Sequence, residues 1–182
     1  LTLNGADLSY TDRQPATVIA GALVLTDTDS TTLAGATVSI SSNYTAGQDM
    51  LAVSPRSNSG ITGIWNAATG VLTLTGSSSL ANYQDALRTV TYVNSSDNPI
   101  SDTRVISFQV RDGSSENNQS EVATRSITMN TVNDAPVLAV PASFTFREDV
   151  AGNLLFSGTP FVDLDSTELQ VTLSIDDGTI TG

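Results

Sequence analysis

The chain has 182 residues, with 19 acidic residues against 7 basic ones and a formal net charge of −12. It has 0 Cys and 0 His and all its basic residues are Arg, which excludes a disulfide scaffold, thiol chemistry and the usual imidazole and amine catalysts. A charge of that sign argues against nucleic acid and anionic membrane as partners, and suits a chain that holds divalent cations or stays soluble in salt.

No apolar run approaches transmembrane length, and Leu1 does not begin a signal peptide, so export is expected to be encoded elsewhere. Period-two alternation between Gly, Asn, Asp and Ser punctuation predicts strands at 18–25, 37–41, 51–53, 61–65, 71–75, 89–93, 105–110 and 122–131. The stretch Asn66-Ala67-Ala68-Thr69-Gly70 reads as a hairpin turn between two of them. Leu80, Tyr83 and Leu87 stand at helical spacing after Ser residues that can cap, which predicts a short helix crossing from one sheet to another. Asp112-Gly113 is a turn signal, followed by a polar loop through Ser120 that joins two long strands. Many short strands with one short helix point to a β-sandwich with Greek-key connections, since parallel βαβ crossovers need more helix than this.

Residues 131–138 break the alternation. Asn133 and Asp134 offer oxygens there, and Pro136, which cannot donate to a ladder, biases Ala135 toward extended backbone. The stretch reads as a stiff hinge, and the chain repeats across it. Tyr10 to Ser30 aligns without a gap on Phe146 to Ser166, so that Asp12 meets Glu148 and Asp27-Thr28-Asp29-Ser30 meets Asp163-Leu164-Asp165-Ser166. A one-residue slip then sets Thr37-Val38-Ser39-Ile40 over Thr172-Leu173-Ser174-Ile175. Self-similarity at a fixed period marks an array. The expected domains are a complete unit over 1–134 and the N-terminal portion of a second over 135–182, the latter below the size that usually folds unaided. Strand 171–175 is therefore expected to be completed by another chain or by residues of a longer protein.

At 131–137 and the Asp-x-Asp pairs the chain resembles the cadherin-like repeats found in tandem arrays of large bacterial surface adhesins. The resemblance extends through Gly70-Val71-Leu72-Thr73-Leu74-Thr75-Gly76, Asn82-Tyr83-Gln84-Asp85-Ala86-Leu87, Val90-Thr91-Tyr92 and Phe108-Gln109-Val110-Arg111-Asp112-Gly113. It implies tandem all-β sandwiches of cadherin/Ig-like type with Ca2+ at the junctions. The ligand positions it implies are Asp12, Asp102, Asn133, Asp134, Asp163 and Asp165 at one junction, Asp27 and Asp29 toward a preceding repeat, and Glu148 and Asp149 toward a following one. In animal cadherins the linker has a longer acidic run, and an acidic residue stands where this chain has Arg104, which implies fewer or weaker ions here.

The residues support part of this on their own. Calcium takes 6–8 hard oxygen ligands, and residues i and i+2 of an extended segment project to one side, so Asp163 with Asp165 and Asp27 with Asp29 can converge on an ion. Without an ion such carboxylates repel, and binding energy becomes joint-stiffening energy. The alternative for each pair is a solvated acidic turn.

Trp65 has no aromatic neighbour in sequence and reads as a core or edge residue rather than a sugar platform. The triplets Asn43-Tyr44-Thr45, Asn94-Ser95-Ser96 and Asn118-Gln119-Ser120 are expected by chance in a chain this rich in Asn, Ser and Thr, and mark accessible loops. Paired carboxylates could hydrolyse glycosides, but aromatics for sugar stacking are only 5% of the chain, so no enzyme is expected. The expected function is a calcium-rigidified spacer in an extracellular, cell-surface adhesin that mediates cell adhesion. Its partners are neighbouring repeats and other copies of the protein, with no nucleic acid and no membrane insertion. The alternative is a repeat that itself binds carbohydrate or self-associates, or a module of another extracellular fibre.

Overall fold

In the computed structural model, which describes residues 1–115, 118–140, 152, 156 and 158–174, alternation along the chain becomes two packed β-layers. The chain divides into two units, Leu1–Val132 and Asn133–Gly182. In the first, β1 (Leu8–Thr11), β3 (Thr32–Ser42), β5 (Thr62–Asn66), β6 (Val71–Ser79), β8 (Arg104–Arg111) and β9 (Ala123–Asn130) form one sheet in the order β1-β9-β8-β3-β6-β5. The other layer is β2 (Thr17–Val18), β7 (Thr91–Asn94) and β4 (Asp49–Ala52), in the order β2-β7-β4. The result is the expected all-β sandwich with one short helix.

Period two decides which face goes in. Along β8, Arg104, Ile106, Phe108 and Val110 are buried, and Val38 and Ile40 of the neighbouring β3 join them. Leu72 and Leu74 of β6 and Ile127 and Met129 of β9 complete that wall, facing Leu51 and Tyr92 of the smaller sheet. Tyr10 of β1 meets Tyr92 edge to face across the layers, at 5.1 Å between ring centres.

The helix α1 (Leu80–Arg88) leaves the larger sheet after β6 and delivers the chain to β7 in the smaller one, as its spacing predicts. The Ser79 hydroxyl accepts the Asn82 N–H at its start, and Tyr83, Ala86 and Leu87 are buried. The hairpin turn also forms as predicted, between β5 and β6, with the Gly70 N–H donating to the Asn66 carbonyl and Gly70 at φ 68. Two expectations change. Only Thr17–Val18 of 18–25 is a strand, because Ile19 N–H bonds to the Val90 carbonyl and the chain then turns, with Leu23 N–H on the Ala20 carbonyl. The missed strand is β1, which lies parallel to β9 from Leu8↔Ile127 to Thr11↔Asn130.

The core also holds a fully paired ion pair between the layers. Asp49 of β4 accepts from the Tyr92 hydroxyl and the Asn94 amide on Oδ1, at 2.6 Å each. On Oδ2 it accepts from Arg104 Nε at 3.2 Å and the Thr45 N–H at 2.7 Å. Arg104 Nη1 donates to the carbonyls of Ile100 and Asp102. Both charged side chains are 0% exposed. Burial, followed by the bond to Asp49, pushes the Tyr92 hydroxyl far above its usual range.

In the second unit β10 (Val137–Leu138) pairs antiparallel with β11 (Phe161–Val162), extended by the Ala139 N–H on the Pro160 carbonyl at 2.8 Å. Residues 171–174 of the expected strand are exposed and take no regular conformation, and residue 175 lies outside the described residues.

Removing one partner of the buried pair strands the other charge, so Asp49→Ala is expected to cost about 3–5 kcal/mol. Arg13→Ala, which breaks the exposed 3.4 Å pair with Asp97, should cost less than about 1 kcal/mol. Urea unfolding of both variants against wild type checks the contrast. Gly76 stands at φ +121, with a built Cβ 2.0 Å from the Gly60 carbonyl oxygen, so Gly76→Ala should lose more than about 1 kcal/mol in the same assay.

Candidate metal centres at the unit poles

Strand register sorts the acidic residues of the first unit to its two ends. Gly35 of β3 lies opposite Arg111 of β8, so the segment entering β3 and the segment leaving β8 share one pole. There Asp27 Oδ1 accepts the N–H groups of Asp29 and Ser30, both at 3.2 Å. The Ser30 hydroxyl donates to Asp112 Oδ2 at 2.9 Å, and Asp112 also accepts from the Ser114 N–H and hydroxyl. One carboxylate oxygen from each of Asp27, Asp29 and Asp112 lies within 4.8 Å of the others. The three line a hollow of about 550 Å³ with Leu1, Leu25 and Glu121.

The side-chain contact with Asp29 and the two N–H bonds hold the Asp27 carboxyl below its usual range, and the same contact and charge push Asp29 above it. Asp112 is held low by the Ser114 N–H and the Ser30 and Ser114 hydroxyls. Unlike charge partners are absent from these causes; hydrogen bonds carry the ionised forms.

The second unit repeats this geometry. Asp163 Oδ1 accepts the Asp165 N–H at 3.0 Å and the Ser166 N–H at 2.9 Å, and contact with Asp165 followed by the N–H bond holds its carboxyl low. The Asp134 N–H donates to Asp165 Oδ2 at 2.8 Å, while the Asn133 amide donates to the Asp134 carbonyl. Thus Asn133, Asp134, Asp163 and Asp165 gather within one unit. The Asp-x-Asp pairs converge differently from the strand alternation expected of them. Each folds over its own backbone as a turn, because a short carboxylate reaches the N–H two residues on.

At the other pole of the first unit, Asp12 follows β1 and is only 4% exposed. Its Oδ1 accepts the Val132 N–H at 3.1 Å, and its Oδ2 is buried with no hydrogen-bond partner among the described residues. Asp102 precedes β8 at the same pole but is exposed, with its carbonyl rather than its carboxylate engaged, by Arg104. Arg104, which stands where the resemblance has an acidic residue, is drawn into the core by Asp49 and presents no cation at the surface. Glu148 and Asp149 lie outside the described residues.

Asp112 was not legible as a site residue. Asp112-Gly113 is a turn, as expected, but only the β3–β8 register brings its carboxylate to Ser30 and Asp29. Asn94 likewise departs from the reading of its triplet as an accessible loop, since it is 3% exposed and bonded to Asp49.

No known protein family matches the chain. Over 100 residues, 53% of this chain, it is 43% identical to Halomucin of Haloquadratum walsbyi (strain DSM 16790 / HBSQ001), a large surface glycoprotein. The matched stretch is 1% of that protein's length, which makes Halomucin a distant, partial homologue. No solved structure matches.

Asp29 is expected to titrate above the usual carboxylate range, and Asp27, Asp112 and Asp163 below it. The lowered groups contribute stability present above their unfolded pKa and lost as pH falls through their folded ones. The raised Asp29 works against folding as pH climbs through its folded range. A carboxyl-carbon NMR titration checks the order, and millimolar calcium is expected to abolish the upward shift of Asp29, because the ion and the proton compete for the same oxygens.

Proposed function

We propose that the chain is a cadherin-like repeat of a Greek-key, extracellular cell-surface protein, in which Ca2+ held at the poles of each unit stiffens a longer array that mediates adhesion. The observation that carries the reading is the recurrence of one acidic turn, Asp27 to Ser30 and Asp163 to Ser166, with the same two hydrogen bonds in both units. In the first unit Asp112 adds a third carboxylate to it.

The donor set fits calcium chemically. It is all hard oxygen, with three carboxylates and the Ser30 and Ser114 hydroxyls close together, and calcium's flexible 6–8-fold shell accepts such irregular groups. Like-charged carboxylates gathered this closely repel one another, and a bound cation relieves that repulsion. Asp12 Oδ2, buried and without a hydrogen-bond partner among the described residues, is the kind of oxygen that a bound cation satisfies. In the second unit an ion on Asp163 and Asp165 would also fix the segment at Asn133 and Asp134, which hydrogen-bonds to the same turn. The likeness to Halomucin supports a surface location. Composition supports a mechanical rather than catalytic role, because the chain has no Cys, His or Lys.

The test is thermal unfolding with and without millimolar calcium, for wild type and for Asp29→Asn/Asp112→Asn. An ion at about 100 times its Kd adds roughly 2.7 kcal/mol, which for a unit of this size raises the Tm on the order of 10 °C. The double variant is expected to lose most of that rise, and no rise in wild type would overturn the calcium part of the proposal.

A further inference from the structure

The three Asn-x-Ser/Thr triplets are identical as motifs and different as places in the fold. Asn94 lies on β7 at 3% exposure, its amide nitrogen 2.6 Å from Asp49 Oδ1 and its oxygen accepting the Ser96 N–H at 2.9 Å. A sugar there would have to enter the packing around the buried Asp49–Arg104 pair. Asn118 is half-buried in the wall of the hollow at the Asp112 pole. The hydroxyl two residues on, Ser120, is committed in both directions, donating to the Glu121 carbonyl and accepting the Val110 N–H.

Asn43 differs on each count. It is exposed, directly after β3, in the left-handed region at φ 57 that Asn tolerates in turns. Its amide donates to the Thr103 carbonyl at 2.8 Å. Among the described residues Thr45 Oγ1 receives only a long 3.4 Å contact from Arg104 and donates to none. Beside it the Tyr44 ring, anchored by its hydroxyl on the Ala67 carbonyl, meets Trp65 edge to face at 6.0 Å, with both rings half-exposed. Trp65, without an aromatic neighbour in sequence, therefore has one in space. The pair offers an apolar shelf next to a first sugar.

We propose that Asn43 is an N-glycan acceptor and that Asn94 is closed to modification in the folded chain. The co-substrate is a lipid-phosphate-linked oligosaccharide. Asn43 Nδ2 attacks the sugar C1, the C1–O bond to the lipid phosphate breaks, that phosphate departs as the leaving group, and Nδ2 gives up one proton. The nitrogen keeps its second hydrogen, so the bond to the Thr103 carbonyl can persist in the product. A bulky polar group at this loop solubilises the surface around two half-exposed aromatic rings. The inference rests on the surface reading, because transfer of this kind acts on exported chains.

The test supplies the chain with an export signal in a eukaryotic secretory host and maps the secreted, cooperatively folded protein by mass. With no Lys in the chain, trypsin cuts after Arg alone and places the triplets on separate peptides, 14–56, 89–104 and 112–125. The expected result is a glycan on 14–56, lost in Asn43→Gln and Thr45→Ala, kept in Thr45→Ser, with 89–104 bare. A bare 14–56, or a glycan on 89–104 at equal occupancy, would overturn the proposal. The same map on the protein from its own cell separates the two claims. An exported chain bare at Asn43 overturns the site, and a chain retained in the cytoplasm overturns the surface reading.

Discussion

The two layers of the first unit are tied together by a buried charge that has all its partners. Asp49 comes from the smaller sheet and Arg104 from the larger, and neither has water to fall back on. Such a pair gains little over well-packed apolar residues, but it tolerates no misalignment, because each charge is costly without the other. Tyr92, Asn94 and Thr45 fill the remaining acceptor sites on Asp49, so three strands and a loop must reach their places together. Arg104 then holds the carbonyls of Ile100 and Asp102, which fixes the approach to β8. The Tyr10 hydroxyl, bonded to Asn94 and to the Gln14 carbonyl, extends the same network to the turn beyond Asp12. The shape of this pole is therefore set from inside the core.

The opposite pole is built from local bonds instead. Asp27 bonds to its own next turn, Asp112 to its own, and the Ser30 hydroxyl joins them. Backbone N–H groups supply most of the compensation for the negative charge, which leaves carboxylate oxygens outward and close together. Organised this way, Asp27 and Asp112 are held ionised by hydrogen bonds rather than by Arg partners.

Much of this was legible in the chain. The alternation of β3, β6, β8 and β9, the hairpin at Asn66–Gly70 and the capped helix at Leu80 follow from local rules of pleat, turn and cap that need only neighbours in sequence. The recurrence of Asp27-Thr28-Asp29-Ser30 at Asp163 was equally visible, since a turn closed by its own carboxylate carries its geometry wherever it is placed.

What the tertiary structure alone decided depends on register between distant strands. β1 becomes a strand because β9 offers it a parallel edge. Arg104 is drawn inside by Asp49, far away in sequence. Asp112 joins Asp27 and Asp29, Trp65 acquires Tyr44, and three Asn-x-Ser/Thr triplets become one buried, one committed and one open. Local chemistry determines which elements can form and which side chains can ligate. Only the pairing of strands across long stretches of chain determines which of them meet, because that pairing is selected by the packing of the whole core.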